Sequence, residues 1–252
     1  MDRTSSGAVM LLVGIALCVG GGYLFMNSPV GGVNPATVGP FAALLAGIVL
    51  LVLGKSRMAA GGQEGLAGEA GLEVKSGFSL TGSERVEMEG DFGGYKVHVS
   101  RRETHSTRRA GGGGRHYEDY VFSVELANPA GMDLYVGPDS ILQAPLGFLP
   151  AKLDSSLWGW AGQLAVRGAP SGASEAFFSD RAAWPLFTGF FGKVDSCRLK
   201  GGTMEFECSS SGGLFSSDGE FLTSQEVKGL ILQAVEVARL ADALPPAGPR
   251  AE

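Results

Sequence analysis

The chain has 252 residues, a formal net charge of −6 and 40 glycines. That length allows one domain with a sizeable core beside any membrane segment. The acidic balance excludes a general nucleic-acid binder, whose affinity comes from neutralising phosphates. Three cysteines are too few for a secreted disulfide scaffold and fit a reducing compartment.

The first predicted elements are apolar. Gly7–Met26 reads GAVMLLVGIALCVGGGYLFM and Val38–Gly54 reads VGPFAALLAGIVLLVLG, with no charged residue in either. A bilayer core requires roughly 20 apolar residues per helix, so both runs are predicted as transmembrane helices joined by a short loop. A cleaved signal peptide has a shorter apolar core and a small-residue exit, whereas the first run ends on Tyr23-Leu24-Phe25-Met26. Arg3 precedes the first run, Lys55 and Arg57 follow the second, and the loop between them is uncharged. Basic flanks mark cytoplasmic ends, so both termini and everything after the hairpin are expected in the cytoplasm. Small residues recur every four positions, at Gly14, Cys18 and Gly22 and at Gly39, Ala43 and Gly47. Such faces let helices approach closely, either within the hairpin or, as the alternative, in a homodimer. No ionisable group lies in either run, which argues against an ion or proton path through them.

Residues 58–71, MAAGGQEGLAGEAG, are small and polar and read as a linker. The soluble domain is expected over 72–245 and a disordered tail over 246–252. Arg85–Glu89, Tyr95–Ser100 and Tyr120–Leu126 alternate polar and apolar residues as half-buried strands do. Between the last two lies RRETHSTRRAGGGGRH, read as a long basic loop. Met132–Val136 and Gln163–Arg167 are further strands, and Pro145–Trp160 is an irregular apolar cover. Ser174–Phe190 has helical character, with Ser179 or Asp180 as its N-cap and a break at Pro185. In VDSCRLKGGTMEFECS, a Gly201-Gly202 turn sets Leu199 against Met204 and Cys197 against Phe206. Cys208 is then diagonal to Cys197, too far for a ready disulfide, so both are read as buried free thiols. Thr223-Ser-Gln-Glu226 is a capping box. It opens an amphipathic helix through Leu244, closed by Pro245-Pro246. These elements predict an α+β fold: a two-helix hairpin, a mainly antiparallel sheet and a C-terminal packing helix.

No Walker loop, dinucleotide fingerprint, HExxH or nucleophile elbow is present, so no cofactor and no catalytic residue is assigned. His98, His105 and His116 lie in or beside the basic loop, where neighbouring arginines would repel a metal cation; no metal site is expected. The basic cluster Arg101, Arg102, Arg108, Arg109 and Arg115 stands out in an acidic domain next to a membrane. Each basic residue near an anionic leaflet contributes roughly 1 kcal/mol of attraction, so the cluster is the candidate contact with lipid headgroups or an acidic partner.

The layout also resembles a group of uncharacterised prokaryotic two-helix membrane proteins. The resemblance rests on the two helices, Gly71-Leu72, the turn Gly90–Gly94 with the strand after it, Ala165–Gly168, Phe177–Asp180, and the closing hairpin and helix. It departs at Val99-Ser-Arg-Arg, where an aromatic-Asp-Tyr is usual. It implies a cytoplasmic α+β domain and carries over no catalytic residue. The leading expectation is a membrane-anchored interaction or scaffold protein. The alternatives are a membrane-tethered enzyme of unknown reaction and an accessory subunit of a larger membrane complex.

Overall fold

A computed structural model describes residues 3–27, 35–80, 83–106, 115–138, 150–156, 158–209 and 222–246. Helices α1 (Arg3–Met26) and α2 (Pro35–Gly62) are long and apolar enough to cross a membrane. They form an antiparallel hairpin whose seam is glycine at seven-residue spacing: Gly7, Gly14 and Gly21 against Gly54, Gly47 and Pro40. A Cβ at Gly14 would lie 2.9 Å from the Gly47 carbonyl, and one at Gly54 would lie 2.8 Å from the Gly7 carbonyl. The helices therefore touch backbone to backbone, as small faces permit. Gly14, Cys18, Ala43 and Gly47 lie in this seam, Gly22 lies at its margin, and Gly39 faces open space. The expected four-residue faces are thus partly taken up within one chain, on a seven-residue repeat that the four-residue spacing did not reveal.

The stretch expected as a linker is helical. α2 continues through residues 58–62, and α3 (Glu64–Ala70) follows, closed by Gly71 at φ +84°. Ala59, Ala60, Ala67 and Ala70 join the core. The small residues that suggested flexibility are small because these helices lie close against the sheet.

Among the described residues eight antiparallel strands follow: β1 (Glu73–Leu80), β2 (Ser83–Phe92), β3 (Tyr95–Ser106), β4 (Arg115–Glu125), β5 (Asp133–Gly137), β6 (Ala165–Ala169), β7 (Ser196–Lys200) and β8 (Thr203–Ser209). Their order is β1-β2-β3-β4-β8-β7-β5-β6. One face carries Val86, Met88, Val97, Val99, Phe122, Val124, Met204 and Phe206, all buried. The end of α2 and helices α3, α4 (Ser171–Ser179), α5 (Trp184–Phe191) and α6 (Ser224–Asp242) complete that core. The other face carries the row Glu89, His98, Ser123 and Glu205.

The fold is the α+β arrangement expected. The β7–β8 register matches the sequence reading, with Cys197 opposite Phe206 and Leu199 opposite Met204. Both thiols are free; Cys197 is buried and Cys208 is half-buried. The Thr223–Glu226 capping box is complete. The helical segment over 174–190 is interrupted, as Pro185 implied: it forms α4 and α5, with Pro185 inside the first turn of α5. Asp180, expected as an N-cap, instead follows the end of α4 as its C-cap, and Ala183 precedes α5. The apolar segment from 145 lies outside the described residues as far as 149. Trp158 and Trp160 are buried against Phe178. The tail from 247 is also outside the described residues.

The hairpin is fastened to the sheet at β1. The Arg3 guanidinium donates to the Val74 carbonyl at 2.9 Å and pairs with Glu64 at 3.3 Å. A Cβ at Gly77 would lie 2.7 Å from both the Ala60 nitrogen and the Ser56 carbonyl, so α2 lies directly on the strand. The start of β1 sits beside Arg3 and α3, at the end of α2, while Gly77 meets an earlier turn of that helix. β1 therefore runs back along α2 toward its apolar segment. The β1–β2 turn and the β3–β4 loop lie at the same end of the sheet.

Candidate functional site

The end of the sheet nearest the apolar part of α2 holds Arg101 and Arg102, the members of the basic cluster whose side chains the structure describes. β3 and β4 extend past the expected strand ends, so the loop itself is residues 107–114, outside the described residues along with Arg108 and Arg109. Arg115 begins β4 opposite Ser106.

Alternation separates the two arginines that end the Tyr95–Ser100 pattern. Arg101 takes the inner face and is 8% exposed. Its guanidinium donates to Glu103 Oε2 at 3.0 Å and to Glu118 Oε1. Glu103 and Glu118 are directly opposed across the strands, a like-charge arrangement that destabilises a sheet unless a cation bridges it. Arg101 is that cation and is a structural residue, which corrects its place in the lipid-contact set. Burial raises the Glu118 carboxyl pKa, against the pull of Arg101. For Arg101, burial favours the neutral form, but the charge and hydrogen bond of Glu118 together with Tyr120 and Glu103 outweigh it, and its pKa is raised. Burial also pushes the neighbouring Tyr120 phenol up to about 12. Sequence reasoning missed this cluster because Glu118 sits two residues before the strand pattern it recognised.

Arg102 takes the outer face and is exposed. Among the described residues its guanidinium has no hydrogen-bond or ion-pair partner. In register it stands between Arg85 on β2 and Asp119 on β4, and Arg85 faces Phe78 on β1. Arg85 donates to Glu87 Oε1 at 2.6 Å and to Ser100 Oγ at 3.1 Å.

The three histidines do not converge. His98 is on the outer face, with Nδ1 at 3.7 Å from Glu89 and Nε2 at 3.3 Å from Glu125. His105 and His116 are opposed in register seven positions further along β3, roughly 23 Å away at strand rise. Among the described residues no group of three or more His, Cys, Asp or Glu is arranged to hold a metal ion. Burial pushes the Cys197 thiol up to about 12 and the Cys208 thiol to about 11, so neither is an activated nucleophile.

At the opposite end a polar network ties the sheet to α6. Asp242 accepts from the Tyr95 hydroxyl at 3.2 Å and from the Asn128 backbone N–H at 2.8 Å. Asn128, at φ +46°, donates its amide to the carbonyls of Met132 and Gly201. This network closes a turn. A shallow open cavity is lined by Lys152, Asp154, Ser156, Trp158 and Gly162, away from the basic end.

No protein-family model matches this chain, and no curated protein matches it. The crystal structure of the mycobacterial trehalose monomycolate transport factor A is similar in outline, with a TM-score of 0.47 at 10% identity. The alignment covers 74% of this chain and 96% of that one.

Proposed function

We propose that this chain is a two-pass membrane protein whose α+β domain stands on the cytoplasmic surface of the bilayer as an interaction or scaffold module. The observation that carries this reading is the continuity of α2. One unbroken helix leads from an apolar span onto the sheet, where Ser56 and Ala60 touch Gly77. The domain is therefore held against the hairpin with a fixed face toward the membrane, as a platform requires. Arg3, Lys55 and Arg57 gather at the domain end of the hairpin, where Arg57 donates to Ser6 Oγ at 3.2 Å. Their charge supports a cytoplasmic domain. The second element of the proposal is that Arg102, Arg108, Arg109 and Arg115 meet anionic headgroups or an acidic partner, with Arg101 kept for the core.

The test uses the full chain in vesicles with and without anionic lipid. Wild type is expected to show protease protection of the β3–β4 hairpin that needs anionic lipid and is lost in high salt. Replacing the four outer arginines with Gln, with Arg101 retained, removes that protection. Protection indifferent to salt and lipid charge rejects the headgroup contact. Purification from native membranes addresses the scaffold role: a reproducible partner set supports it, and a lone monomer counts against it.

A further inference from the structure

We infer that the outer-face row Phe78, Arg85 and Arg102 is a bilayer-interface contact, an edge-strand aromatic anchor followed by two arginines, that fixes how the sheet stands on an anionic lipid surface. The inference rests on the two-pass reading and adds a surface that the basic loop does not include. Among the described residues outside α1 and α2, only Phe78 and Leu232 are large apolar side chains standing well into solvent, each 48% exposed. Phe78 lies on the edge strand, where an exposed aromatic invites unwanted pairing, so its exposure has a cost that a binding role would explain. Arg85 and Arg102 are directly opposed; Arg85 is paired with Glu87 at 2.6 Å and Asp119 stands beyond Arg102 in register, so Arg102, whose guanidinium has no partner among the described residues, is the member of the row most free to take an anion.

The level of the row decides the occupant. Gly77 rests between Ser56 and Ala60 on α2. One further residue along β1 is about 3.3 Å toward the apolar span, and each helix residue rises about 1.5 Å. Phe78 therefore stands about level with Lys55 and Arg57, the basic pair that closes the span. An aromatic ring at that height occupies the position of an interfacial belt residue. Arg85 and Arg102 follow on the same row, with charge complementary to lipid phosphates.

The experiment places a tryptophan at the row, as Phe78→Trp, in the full chain in vesicles of zwitterionic or anionic lipid. Lipids brominated near the headgroup serve as quenchers, and the native tryptophans, buried at Trp158 and Trp160 and half-buried at Trp184, are subtracted from the unsubstituted chain. Alkaline extraction is run in parallel. The expected result is added emission that is blue-shifted and mostly quenched in anionic vesicles, with quenching reduced by Arg85→Gln with Arg102→Gln or by high salt. Unquenched emission from the introduced tryptophan in a chain that resists alkaline extraction overturns the inference and leaves the two-pass reading standing. A chain released by alkali overturns both. Quenching that ignores lipid charge and both arginine substitutions also overturns the inference as stated, because it leaves the arginines without a role.

Discussion

Gly77→Val is the sharpest test of how the domain is held. The added Cβ meets the Ala60 nitrogen and Ser56 carbonyl at 2.7 Å and the Ala60 Cβ at 2.9 Å. Two of these contacts are backbone, so no side chain can turn aside and α2 must lift from β1. Forced overpacking of this kind costs about 1–3 kcal/mol, and the γ-methyls of Val place it toward the upper end. The cost falls on one contact, between residues 56–60 of α2 and residues 74–77 of β1. Hydrogen exchange of the full chain in nanodiscs reads it directly. Amides of 56–62 and 73–78 should open roughly 5- to 150-fold more often, the equivalent of that energy, while α6 keeps its protection. Unchanged exchange at 56–62 would refute the docked hairpin, because the three nearest atoms to the added Cβ all belong to α2.

Other predictions follow from the same geometry. Arg101→Gln leaves Glu103 and Glu118 opposed without their cation; breaking such a pair costs about 3–5 kcal/mol, or roughly 6–20 °C in the melting temperature of a domain this size, measured by circular dichroism. Gly47→Leu inserts atoms where a Cβ already meets Cys18 Sγ at 2.7 Å, so the disulfide yield of a Ser6→Cys, Arg57→Cys pair should fall sharply. Glu207 is raised by burial and by Glu205, Asp195 and Asp119. Its folded form thus binds protons more readily than the unfolded chain, and its contribution to stability falls as pH rises from about 4.5 through the raised value. Glu207→Gln should therefore raise the melting temperature at pH 7–8 and lose that advantage below about pH 4.5.

Periodicity made much of this fold readable. The uncharged runs, the alternation at Tyr95–Ser100 and Tyr120–Leu126, the Gly-Gly hairpin and the capping box each follow from local physics, and each has its counterpart in the structure. β1 was not readable, because a register shift between Val74 and Ser76 breaks its alternation, Gly77 lacks a side chain, and Phe78 points to solvent. Residues 58–71 misled for a related reason: small residues signal either flexibility or close packing, and only the core that buries Ala60 and Ala67 distinguishes the two. The arginine cluster was visible as charge, but its division between core and surface was not. Arg101 and Arg102 are neighbours in sequence and lie on opposite faces once the strand extends through them.

The most direct test of the central claim is side-specific thiol labelling of a chain whose three native cysteines are replaced by alanine. One variant carries Asn27→Cys at the far end of α1, and the other carries Ser100→Cys on the outer face of the sheet. A membrane-impermeant maleimide is applied to right-side-out and inverted vesicles. The two-pass account predicts that the thiol introduced at position 27 reacts only in right-side-out vesicles and the one at position 100 only in inverted ones. Labelling of both positions from the same side would contradict it.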